Sequence, residues 1–164
     1  MSINQIQILI SLVPIAYVAG MAIPVLIIDL KEHRVPNKVV MPLLLLTLLC
    51  WLTLAVWQGK WAELGLSVLV FLGLMFMGII LNYFDWLGMG DVKCMATLGL
   101  IIAWFSVPAS LIFPLIVFGL SLFIVFGALL LDAIGLINLD RTKTVPLYPY
   151  IIVAFGIMMS FIIK

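Results

Sequence analysis

Charge is what this chain has least of. Only 9% of its 164 residues are charged, against 66% that are hydrophobic, and the mean hydropathy is +1.39. A soluble domain of this size cannot cover its surface with so few charges, whereas stretches of about 20 apolar residues are what bilayer-spanning helices require. The net charge of +1 provides no basic surface for a nucleic acid partner. Cysteine is almost absent too. Cys50 and Cys94 fall in or beside apolar segments without CxxC spacing, which argues against a disulfide or a zinc site and for two small core residues. The first residues, Met1 to Gln7, lack the basic flank of a signal peptide, and the apolar run behind them is too long for a cleaved one. The expectation is one integral membrane domain over residues 1–164, all-α, with its first helix retained.

The spans can be counted from the charge-free runs. Ile6–Ile28 is the first, Val39–Trp57 the second and Leu64–Leu81 the third. From Cys94 to Leu131 no residue is charged. Those 38 residues would make a helix of about 57 Å, enough for two crossings of a 30 Å hydrocarbon core. Ser106-Val107-Pro108-Ala109-Ser110 is the turn chemistry inside that run, so the fourth span should end near Val107 and the fifth begin near Pro108. Pro146–Ile163 makes a sixth. Six transmembrane helices are expected.

Basic residues then orient the chain. The loops after spans one, three and five hold Lys31, Arg34, Lys38, Lys93, Arg141 and Lys143, while the opposite side holds Lys60 and Lys164. The positive-inside rule places the N-terminus outside and the first set of loops in the cytoplasm. Two acids belong to that face: Asp29, at the end of the first run, and Asp91, in the tetrad Gly88-Met89-Gly90-Asp91. With two crossings between them they share a side.

A carboxylate at the edge of a bilayer is costly and is a functional-site hypothesis by default. The fourth span is short unless it starts near Asp91, which places that acid close to the hydrocarbon edge. The flanking glycines, Gly88 and Gly90, lack a β-carbon and would let another chain approach closely. Two neighbouring carboxylates can hydrolyse a peptide bond, because they cannot both ionise comfortably and so divide into an acid and a base. The plain alternative is that both acids only mark where helices leave the membrane. A rival of another class is a small proton or cation transporter or channel subunit using the same carboxylates; against it, both acids lie at one face and no ladder of polar residues crosses the membrane.

The run Gly88-Met89-Gly90-Asp91-Val92-Lys93 resembles the GxGDxK signature of type IV prepilin peptidases, a family of GxGD membrane aspartic proteases. The segment Asp29-Leu30-Lys31-Glu32-His33-Arg34-Val35-Pro36-Asn37 is similar to that family's first motif, an Asp followed by basic residues and an (I/V)PN ending. A weaker echo is Pro146-Leu147-Tyr148-Pro149-Tyr150, similar to the P-x-x-P-[FY] entry to the last helix, with Tyr148 where glycine is common. The resemblance covers essentially the whole chain.

It implies an aspartic endopeptidase of the inner or plasma membrane. Asp29 and Asp91 would be catalytic, and Gly88, Gly90, Lys93, Pro36 and Asn37 would support them. The substrate implied is a prepilin-like protein with a short basic leader ahead of a hydrophobic helix. Neither metal nor cofactor is implied. Larger members carry a segment with paired CxxC motifs, alongside methyltransferase activity, between the first two spans. Here that place holds only Asp29 to Lys38, so the chain resembles the short form and methylation is not expected. The particular prepilin and the oligomeric state are left open.

Other residues read more plainly. His33 is taken as a solvated loop residue beside Lys31 and Arg34, and Asp85 as a loop acid rather than a contact for a basic leader. Trp51, Trp57, Trp61 and Tyr83 are expected in the aromatic belts, and Gly65, Gly73 and Gly78 as small residues that allow close packing around the third span.

Overall fold

The computed structural model describes residues 3–32, 35–133 and 146–162, and within them all regular structure is helical. Six helices follow in order: α1 (Ile3–Glu32), α2 (Asn37–Gln58), α3 (Trp61–Tyr83), α4 (Met89–Phe105), α5 (Val107–Ala133) and α6 (Tyr148–Ile162). Four of them, α1, α2, α3 and α5, are long and apolar enough to cross a membrane. The chain is thus a multi-pass membrane protein. α4 has 17 residues and α6 15, shorter than those four. Among the expected features, His33, Arg34, Arg141, Lys143 and Lys164 lie outside the described residues.

The helix ends follow local chemistry. Pro36 sits just before α2 in extended conformation, φ −73° and ψ 130°, and its carbonyl accepts the amides of Val39 and Val40. Gly59 closes α2 in the left-handed region at φ 69°, where a β-carbon would be strained. Ser106 breaks the long apolar run: its backbone is extended at φ −158°, and its Oγ accepts the Ala109 amide at the start of α5.

The turn after α3 is a Schellman motif. Trp86 N–H donates to the Leu81 carbonyl and Asp85 N–H to the Asn82 carbonyl, with Asp85 left-handed at φ 58°. Asn82 Nδ2 then donates to the Leu87 carbonyl at 2.7 Å, tying the turn to the residue before Gly88. Asp85 is therefore a helix-closing residue.

α4 is the buried centre of the bundle. From Val92 and Cys94 through Trp104 its residues are buried, and it packs on α2, α3, α5 and α6. A helix apolar on every side suits that enclosure. α3 lies closest. Gly78 faces the side chain of Val92 and Gly99 faces that of Leu74, so a small residue from each helix admits the other. Gly78 thus packs as expected, whereas Gly65 and Gly73 face open space. Trp57, Trp61 and Tyr83 are exposed, but Trp51 is not a belt residue. It is fully buried and stacks on Trp104 at 4.7 Å between ring centroids, because α2 turns that face toward the central helix.

Candidate active site

Asp29 lies in the last turn of α1 and is buried. A carboxylate out of water needs hydrogen-bond donors. One comes from the far end of the sequence: the backbone N–H of Tyr148, the first residue of α6, donates to Asp29 Oδ2 at 3.2 Å. The first amides of a helix have no partner within it and carry its positive dipole end, so they suit an anion. Leu147 caps α6 through its carbonyl, which accepts the amides of Tyr150 and Ile151. The stretch from Pro146 to Tyr150 therefore serves to aim a helix N-terminus at Asp29.

Asp91 occupies the first turn of α4, where an acid complements the helix dipole. Gly88 precedes the helix in extended conformation. A β-carbon there would come within 3.1 Å of Asp91 Oδ2, so the carboxylate folds back over the space that glycine leaves. Its other oxygen, Oδ1, is buried and has no hydrogen-bond partner among the described residues. The two aspartates are near enough for their charges to act on each other.

Gly90 explains how they come together. A β-carbon on Gly90 would lie 2.6 Å from the Val35 carbonyl oxygen and 3.2 Å from its nitrogen. The backbone of the α1–α2 connection thus rests directly on the first turn of α4, and any side chain at Gly90 would push it off. That is the close approach expected from the glycines, and the approaching chain is the segment that follows Asp29. A second tie crosses the same seam, where Lys93 Nζ donates to Asn37 Oδ1 at 3.2 Å. Pro36, between Val35 and Asn37, sets the turn that lets both contacts form.

All seven residues expected at the site therefore fall into one cluster. Asp29, Pro36 and Asn37 come from the end of α1 and the start of α2, and Gly88, Gly90, Asp91 and Lys93 from the start of α4. Sequence reasoning gave little weight to Tyr148, which closes the cluster from α6. The signal available was the Pro146–Tyr150 echo, a helix entry with Pro149 in its first turn. Cys94, buried just below Asp91, is a further neighbour. Among the described residues, no three His, Cys, Asp or Glu side chains group as a metal site would need. The arrangement offers two interacting carboxylates, one held by a helix N-terminus and the other with an oxygen that has no hydrogen-bond partner among the described residues.

No curated protein and no solved structure matches the chain. The family model of the type IV leader peptidases matches residues 15–131, a span that contains both aspartates, the Gly90 seam and the Lys93–Asn37 tie. With most of its length matched, the chain belongs to the type IV leader peptidase family.

Proposed function

We propose that the chain is an aspartic endopeptidase that removes the short basic leader of prepilin-like membrane proteins at the cytoplasmic face of the cell membrane. The observation that carries this reading is the seam at Gly90. It brings two carboxylates from different helices to one end of the bundle, where Asp91 Oδ1 has no hydrogen-bond partner among the described residues. Membership of a leader peptidase family supports the reaction class. The excess of Lys and Arg in the loops on the site's side supports the cytoplasmic face.

The chemistry needs no covalent intermediate. Water placed between the carboxylates attacks the carbonyl carbon of the scissile peptide. The ionised aspartate takes the water proton, and the protonated one donates to the carbonyl oxygen. Collapse of the tetrahedral intermediate breaks the C–N bond, and the departing amine takes up a proton from the pair. The two titrate as a unit. The α6 N-terminus orients Asp29, while Asp91 Oδ1, buried and without a hydrogen-bond partner among the described residues, is the oxygen left to hold the attacking water.

Co-expression with a prepilin-like protein tests this. Leader removal should occur with the native chain and fail with Asp29→Asn and with Asp91→Asn, each still present in the membrane at native levels. Processing at the native rate by either variant would refute the reading.

A further inference from the structure

An apolar groove of about 220 Å³ opens between α3, α4 and α5. Leu74, Met77 and Leu81, on successive turns of α3, form one wall, and Leu111 and Leu115 of α5 face them. Met77 and Leu115 are more than half exposed, so the groove is open at the side. From Leu74 to Leu81 it runs along the helix axis for roughly 10 Å, two turns at 1.5 Å per residue. Every residue lining it is apolar.

Its position relative to the aspartates sets it apart from the rest of the lipid-facing surface. Leu87 and Met95 complete the lining. Leu87 immediately precedes Gly88, against which the Asp91 carboxylate lies. Met95 follows Asp91 by one turn of α4 and so shares its helix face. One end of the groove therefore lies beside the residues that lead into the carboxylate site. The segment joining Leu81 to Leu87 exposes Tyr83, Phe84 and Trp86, an aromatic cluster of the kind that sits at headgroup depth. The groove thus starts where a membrane helix enters hydrocarbon.

We propose that this groove docks the first turns of the apolar helix that follows the scissile bond of the substrate. The inference rests on the peptidase reading above. Charge selects the occupant. A phospholipid seated in the groove would bring its phosphate to the end nearest the two carboxylates, where like charges repel. A helix continuing into a basic leader brings cations there instead. Its apolar side chains, repeating every three to four residues, match walls spaced by helical turns. The open side admits such a helix from the bilayer without unfolding either partner.

The test uses the full chain in proteoliposomes with two substrates. One is an intact prepilin-like protein; the other is a soluble peptide spanning leader and scissile bond but lacking the helix. Met77→Trp and Leu115→Trp fill the groove, and Leu49→Trp, at an exposed position on α2 away from it, is the control. The groove variants should raise KM for the intact substrate about tenfold or more with kcat retained, as expected when uniform binding is lost. Cleavage of the short peptide should stay at the native level, and Leu49→Trp should change neither. A photo-crosslinker at Leu115 should capture the substrate helix. Native KM in the groove variants, equal loss of both substrates, or a crosslinker that captures lipid alone would overturn the docking proposal. Failure of the native chain to cleave either substrate would instead remove the peptidase reading on which the proposal rests.

Discussion

A β-carbon on Gly90 would press on a backbone carbonyl, whereas one on Gly88 would press on the movable carboxylate of Asp91. The two glycines should therefore fail differently. Gly90→Ala must shift the α1–α2 connection, and we expect it to cost about 1–3 kcal/mol of stability, as overpacking does, together with activity. Gly88→Ala should unfold close to the native temperature yet lose most leader cleavage, because only the Asp91 side chain has to move. Thermal unfolding in detergent, set beside processing rates, distinguishes the two. Equal effects from both substitutions would contradict this division. The sequence already said that glycine at these positions permits a close approach. It did not say which chain approaches, because Val35 and Gly90 meet only once the bundle is assembled. The donor on Asp29 was hidden for the same reason: Tyr148 N–H comes from 119 residues away.

Helices were the most legible level, since each charge-free run ends in a residue with a local reason to stop. Ser106 separates α4 from α5 within an unbroken apolar run, and Gly59 ends α2. Helix faces were less legible. A helix in lipid is apolar on its exposed side as well as its buried one, so periodicity did not reveal that Trp51 points inward to stack on Trp104. Asp85, read from the sequence as a loop acid, shows how an element can give such a residue a definite structural role. Its left-handed conformation closes α3, so Asp85→Gly should leave stability and activity near native levels. Asp85→Val should destabilise by about 1–2 kcal/mol, the cost of forcing a side chain into that region. A thermal unfolding series checks both, and a loss of substrate binding in Asp85→Gly would restore a direct role for this acid.

The described helices pack the longer α2, α3 and α5 and the shorter α6 around the buried α4, and the chemistry lies at the N-terminus of α4. Three segments far apart in sequence meet there: the end of α1 with the turn after it, the start of α4 and the start of α6. A site built this way has its two acids as one unit, and units of this kind lose activity all at once. The direct measurement is the single-turnover rate of leader removal by the purified, reconstituted protein. It compares the native chain, Asp29→Asn, Asp91→Asn and the double variant. Each single variant should fall by about a thousandfold or more, the scale of lost general acid–base catalysis, and the double variant should be no slower than the singles. A single variant that keeps native turnover, or losses that multiply in the double variant, would show that Asp29 and Asp91 do not act as a pair.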